Sequence, residues 1–200
     1  MYTGRVAAPM GSPMESWPRR HRITVDEYYR MGEVGLLASD ARVELIEGEI
    51  IDMAPIGISH SSVVNQLTRL FVVAVGERGI VQVQGAVALD QHSEPQPDLA
   101  VFAPSDDFYR HSRPSPAQVL LIVEASDSTL AYDREVKVPL YARHGIPEVW
   151  IVDLQHRELR CHAEPVDGRY ADQRVIRHPG ITPVIALAGV HVDFSTILPA

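Results

Sequence analysis

The sequence predicts an α/β (α+β) domain built around a mixed central sheet. Three features carry that expectation. Residues 60–75 place Val63, Leu67, Leu70, Phe71 and Ala74 at helical spacing, which marks a long amphipathic helix. QVLLIVE at 118–124 is continuously apolar, as in a strand buried on both faces, and EVWIVDL at 148–154 is a further strand of that kind. Between them, residues 133–144 read as a helix that stops at Gly145. The middle of the chain therefore runs helix, strand, strand, strand, helix, strand, with accessory elements on both sides.

The elements follow in chain order. Residues 1–22 are rich in Pro, Gly and Ser and end in Arg19-Arg20-His21-Arg22. Ordering them would bury little, so they read as a flexible tail ahead of a single domain over 23–200. Thr24 followed by Glu27 fits a capping box, which starts a short helix carrying Tyr28 and Tyr29 and ended by Gly32 and Gly35. RVELIEGEIIDM at 42–53 alternates around Glu47-Gly48 and reads as two short strands. Ser59 is the expected N-cap of the long helix, with Gly76 and Gly79 closing it. Strands are expected at 80–90, where IVQVQGAVALD begins with strict alternation, and at 97–103, where Pro97 stands at a strand start. Residues 158–163 and those near 170 read as an antiparallel edge.

Composition narrows the class. At 200 residues and 22.2 kDa the chain holds one compact core. Its net charge of -8 excludes a generic basic coat protein for nucleic acid. The same charge suits an enzyme whose carboxylates bind a metal ion. No apolar run approaches the roughly 18 residues of a membrane span, and no secretory h-region opens the chain. The one cysteine, Cys161, cannot form an internal disulfide, which fits a reducing compartment, by default the cytoplasm. Of 18 basic residues, 17 are arginine, and Lys137 is the only lysine. Either it survived an arginine bias by chance, or a site needs a compact, flexible point charge that arginine cannot supply.

Chemistry concentrates at a few positions. Asp98 follows Pro97 at the start of a short strand, and Glu124 ends the most apolar stretch of the chain. A charge there must meet water, a cation or a basic partner. On neighbouring strands the two carboxylates could converge on a hard divalent cation. The alternative is an ion pair between Glu124 and an arginine. The polar loop ASDSTLAYD then leads to the helix of Lys137, with Tyr141 on the same face. If that helix starts at Asp133, Pro139 should kink it; a start nearer Lys137 is the alternative.

VELIEGEI, ISH before a long helix, SEPQPDLAVF, LIVEASDST and DREVKVPLYARHGIPEVWIVD together resemble the Uma-type putative restriction endonucleases, of the PD-(D/E)XK nuclease superfamily. The resemblance spans roughly residues 24–195. It implies a restriction-endonuclease-like fold with an αβββαβ core, an N-terminal hairpin and C-terminal strands. It also implies Mg²⁺-dependent hydrolysis of DNA, with Mn²⁺ as a second cofactor. By that resemblance Asp98 and Glu124 are the acidic metal ligands, with the Ala125 carbonyl as a further one. The superfamily's lysine position holds Ser126 here, which implies that Lys137 supplies the lysine function from the following helix. Its ammonium is expected between Asp98 and Glu124. Glu44 and His60 also fall on the pattern, which would make them an outer acidic ligand and a phosphate or water contact; for a lone His at a helix start, capping or surface exposure is the alternative to catalysis.

Two active sites would serve a two-fold duplex, so a homodimer is expected. The loop DDFYRHSRPSP, with Phe108, Tyr109, Arg110, His111 and Arg113, is either a DNA contact or an ordinary surface loop. Two other classes stand beside the nuclease. One is a non-catalytic nucleic-acid- or partner-binding module on the same fold. The other is a different metal hydrolase, for which the nine histidines lack zinc-ligand spacing.

Overall fold

The computed structural model describes residues 20–55 and 57–199. The segment expected to be a tail lies almost wholly outside them. The first helix, α1 (Val25–Glu33), is closed by the Thr24–Glu27 capping box. Strands β1 (Val43–Ile46) and β2 (Glu49–Asp52) then form an antiparallel hairpin. Its turn is Glu47-Gly48, both at positive φ, as a two-residue hairpin loop requires. Gly48 is held by space as well, since a Cβ there would lie 2.6 Å from Arg22 Cβ.

Helix α2 (Ile58–Val75) leads to the main sheet. Six strands form it, in the order β3 (Ile80–Val83), β4 (Leu99–Phe102), β5 (Val119–Ser126), β6 (Glu148–Asp153), β7 (Glu158–Val166) and β8 (Arg169–Arg177). Only β5 and β6 run parallel; every other neighbouring pair is antiparallel. The parallel pair needs a crossover, and a helical segment supplies it. That segment begins as α3 (Leu130–Tyr132), widens into a π-helical turn (Asp133–Lys137) and continues as α4 (Val138–Arg143).

The sheet is buried on both faces. On one, Leu67, Phe71 and Val75 of α2 meet Leu99, Leu121, Val123 and Trp150. A small hairpin, β9 (Ile181–Pro183) with β10 (His191–Asp193), and Phe194 complete that layer. On the other face, Leu140, Tyr141 and Ala142 of α4 meet Ile122, Val149 and Ile151. Both strands read as continuously apolar, β5 and β6, are the central parallel pair, buried along almost their whole length.

Several boundaries differ from the sequence expectation. The cap of α2 is Gly57 and not Ser59, because the helix starts one residue before Ser59. The strand expected over 80–90 stops at Val83, where Gln84 takes a positive φ and breaks the ladder. Strand β5 runs two residues past Glu124, so that carboxylate sits inside the strand. The crossover helix begins at Leu130 and not at Asp133, and the π turn accommodates Pro139. A wider turn takes up the clash between a proline ring and the carbonyl one turn back. Strands β7 and β8 are longer than expected, nine residues each, and of the two only β8 is an edge.

Candidate active site

Asp98, Glu124, Lys137, Glu44 and His60 all line one cavity of about 500 Å³, at the end of the sheet where β5 approaches the crossover helix. The β4–β5 register places Leu99 opposite Val123, so Asp98 and Glu124 are neighbours across the ladder. The Asp98 backbone N–H reaches Glu124 Oε2 at 3.4 Å. Their side chains are held by different partners, however. His60 Nε2 donates to Asp98 Oδ1 at 2.9 Å, Gln84 Nε2 donates to the same oxygen at 3.3 Å, and the Ala125 N–H donates to Oδ2 at 2.9 Å. Burial alone would push the Asp98 carboxyl up, but the His60 bond and charge, with the Ala125 and Gln84 donors, outweigh it and hold it below its ordinary value. Asp98 in turn raises His60, with its hydrogen bond leading and burial opposing.

Glu124 is almost fully buried, and its Oε1 accepts from Lys137 Nζ at 3.2 Å and from Tyr141 Oη at 2.8 Å. The sequence expectation placed the Lys137 ammonium between Asp98 and Glu124. It lies instead between Glu124 Oε1 and Glu44 Oε2, 3.2 Å from each. The reason is electrostatic. Asp98 already has His60, whereas Glu44, buried like Glu124, has no other cation within ion-pair distance among the described residues. Glu44 also accepts from the Gln96 N–H at 3.0 Å and from Tyr132 Oη at 3.3 Å.

Burial, reinforced by Asp133, Asp98 and Glu44, lifts the Glu124 carboxyl to about 8 despite Lys137. Burial would lower the Lys137 ammonium, but Glu124, Glu44 and Asp133 hold it above its ordinary value and keep it charged.

The π turn explains the reach of Lys137. It carries both Asp133 and Lys137 inward, four residues apart and both buried. Asp133 was not anticipated from the sequence. Its Oδ2 accepts from Ser126 Oγ at 2.6 Å and Thr129 Oγ1 at 2.8 Å, so Ser126, at the superfamily's lysine position, supports a carboxylate. The polar run ASDST was the available signal. Gln84, Gln96 and Arg42 gave none, because lone polar residues in turns look alike in sequence.

No group of three His, Cys, Asp or Glu side chains converges as a ready metal cage among the described residues. Of the carboxylates that line the cavity, Asp98 and Glu124 each keep an oxygen with a single protein donor. An all-oxygen set with two carboxylates fits a hard cation such as Mg²⁺, which completes its shell with water. It does not fit zinc.

The candidate DNA loop is partly committed to the fold. Tyr109 Oη donates to the Ala103 carbonyl at 2.8 Å, and Arg113 pairs with buried Glu94 at 2.8 Å while lying over the Tyr29 ring. Phe108, Arg110 and His111 remain exposed.

The structure thus joins a six-stranded mixed sheet of α+β type to carboxylates and a lysine gathered at one end. The chain belongs to the Uma2 family, described as putative restriction endonuclease, which it matches over residues 25–195. Its fold is similar to a crystal structure of a putative nuclease belonging to DUF820 from Anabaena variabilis. The two share 17% identity at a TM-score of 0.64, over 88% of this chain and 97% of that one. No curated protein matches the chain. Among the described residues, no helix is long and apolar enough to cross a membrane.

Proposed function

We propose that this protein is a Mg²⁺-dependent endonuclease that hydrolyses phosphodiester bonds in DNA. One observation carries the proposal. Asp98, Glu124, Glu44 and Asp133, drawn from separate parts of the chain, surround one cavity with Lys137 as the one buried cation among the described residues. Such an excess of enclosed negative charge is stable only if a cation or protons offset it.

Asp98 and Glu124, with the Ala125 carbonyl, would hold the metal. Bound there, a divalent ion makes a water molecule more acidic and offsets charge on a phosphate oxygen. The chain's own residues do the positioning. His60 and the Ala125 N–H fix both oxygens of Asp98. Lys137 and Tyr141 fix Glu124 Oε1, leaving Oε2 towards Asp98. Lys137 also lines the cavity, where its charge would stabilise negative charge growing on the phosphate. His60, with its affinity for a proton raised, is placed to hold or release one at Nε2 when Asp98 changes partners. A homodimer would present two such sites to a duplex.

The test is cleavage of supercoiled, linear and single-stranded DNA with Mg²⁺ or Mn²⁺, against Asp98→Asn as control. The expected result is metal-dependent nicking or cleavage by the parent and at least a hundredfold less by the variant, the order of one lost electrostatic contact in the transition state. A parent that binds DNA but cleaves none with either ion would return the protein to the non-catalytic module.

A further inference from the structure

An acid-rich cavity does not by itself receive a phosphodiester, which brings negative charge of its own. Lys137 cannot hold it as a first anchor, since its ammonium is buried and shared between Glu44 and Glu124. His60 is engaged by Asp98. Arg42 is different. It precedes β1, is only half-buried, and donates from Nη1 to the Ala54 carbonyl across the hairpin. Among the described residues it forms no ion pair, so most of its N–H groups and all of its charge are available to a ligand. Its charge is near enough to His60 to oppose protonation there.

Its position is the second observation. The 500 Å³ cavity has a neighbour of about 290 Å³, lined in part by the exposed Ser39 and Asp40. Arg42, Asp98, Gln96 and Met53 line both and form the wall between them. A permanent cation therefore stands on a ridge beside Asp98 with space on each side. A nucleic-acid strand presents the same pattern, a charged phosphate between two bulkier nucleosides. The guanidinium fork matches two phosphate oxygens at once, as an ammonium does not.

We infer that Arg42 is the phosphate-positioning residue of this site, and that the two cavities it separates receive the nucleotide groups on either side of that phosphate. The inference rests on the nuclease reading and adds to it the path of the strand.

The experiment measures binding of fluorescein-labelled oligonucleotides, single-stranded and duplex, to the full-length protein in Ca²⁺, over a range of salt concentrations. Arg42→Gln should weaken binding by roughly tenfold or more, the order of one charge-assisted contact. It should also lower the slope of log affinity against log salt by about 0.7 to 0.9, one phosphate contact. Arg42→Lys should keep the slope and recover part of the affinity. Ser39→Trp, at an exposed position on the mouth of the smaller cavity, should weaken binding without changing the slope. A purely structural role for Arg42 would leave the salt slope untouched. A parent that binds and cleaves DNA, with an Arg42→Gln variant equal to it in affinity and slope, overturns the inference and leaves the nuclease reading standing. A parent that neither binds nor cleaves removes both.

Discussion

At the scale of the residue, the site is a balance of buried charges. Lys137 sits between two carboxylates that have almost no contact with water. Lys137→Met would leave Glu44 and Glu124 enclosed without their cation, and removing one partner of a buried pair costs about 3–5 kcal/mol. Urea denaturation should show that loss, and Lys137→Met with Glu124→Gln should recover part of it. Lys137→Arg should lose both stability and cleavage, because a planar fork does not fit a gap shaped for an ammonium.

A second residue, His162, lies outside the cavity lining and should contribute to the pH dependence of stability. Both ring nitrogens of His162 are buried without a hydrogen-bond partner among the described residues. Burial, aided by the charges of Arg160 and Arg134, lowers its pKa from 6.5 to about 4. Below pH 6.5 the unfolded chain therefore takes up a proton that the native ring refuses. The resulting stability is present above 6.5 and is lost as pH falls towards 4, by up to roughly 3 kcal/mol. Denaturation curves between those limits should flatten in His162→Phe, and an unchanged pH slope would show that another group is responsible. Asp98, Glu124, Glu44, His60 and Lys137 were each named from the sequence because they interrupt strong patterns or recur in a known one. Asp133 was not, because its role depends on a turn geometry that residue type does not encode.

At the scale of the element, the π turn decides which side chains meet. Pro139 cannot donate to the turn before it, and an α-helical carbonyl at that place would clash with its ring. The sequence signalled a disturbance at Pro139 but not its form. A kink, a late start and a widened turn all relieve the same clash. Pro139→Ala removes the obstacle and should let the segment tighten towards α-helix. One residue of slippage swings a side chain by about 100°. The variant should melt at or above the parent's temperature and yet lose most of its DNA cleavage. Equal activity would show that the turn does not depend on the proline.

The long patterns of α2, β5 and β6 were legible because burial on one or both faces leaves a repeated mark. The β9–β10 hairpin was not. Its strands are three residues each, and their partners lie eight to twelve residues apart through a loop with no strong turn signal.

At the scale of the whole molecule, the C-terminal segment closes one face of the sheet. Phe194 meets Trp150 edge-on at 5.6 Å between centroids, and Trp150 meets Phe71 at 5.8 Å. Buried Glu148 ties the layer together, accepting from Trp150 Nε1 at 2.7 Å and from the Ala186 N–H at 3.0 Å. Phe194→Ala would open a cavity under Trp150 and cost about 3–5 kcal/mol. Chemical denaturation followed by tryptophan fluorescence should report it. The cavity of the candidate site is lined by the β1–β2 hairpin, the start of α2 and the π turn, and by neither Phe194 nor Trp150, so nicking by the folded fraction should persist. The mixed sheet was legible from order and composition alone, since two doubly buried strands flanking a helix leave few arrangements. What covered the α2 face was not, because short strands and isolated aromatics bury by tertiary contact and not by period.

The placement of Lys137 also makes the protein its own reporter. No other lysine exists in the chain, and this one is shut inside the native fold. A lysine-specific protease thus has a single cleavage point and meets it only when the crossover helix lets go of the sheet. Digestion should leave the native protein whole and cut the opened one once, after Lys137. The rate of that cut would then measure how often the site comes apart, without any substrate present. Divalent ions that occupy the cavity would slow it, giving a direct titration of metal binding on unlabelled protein.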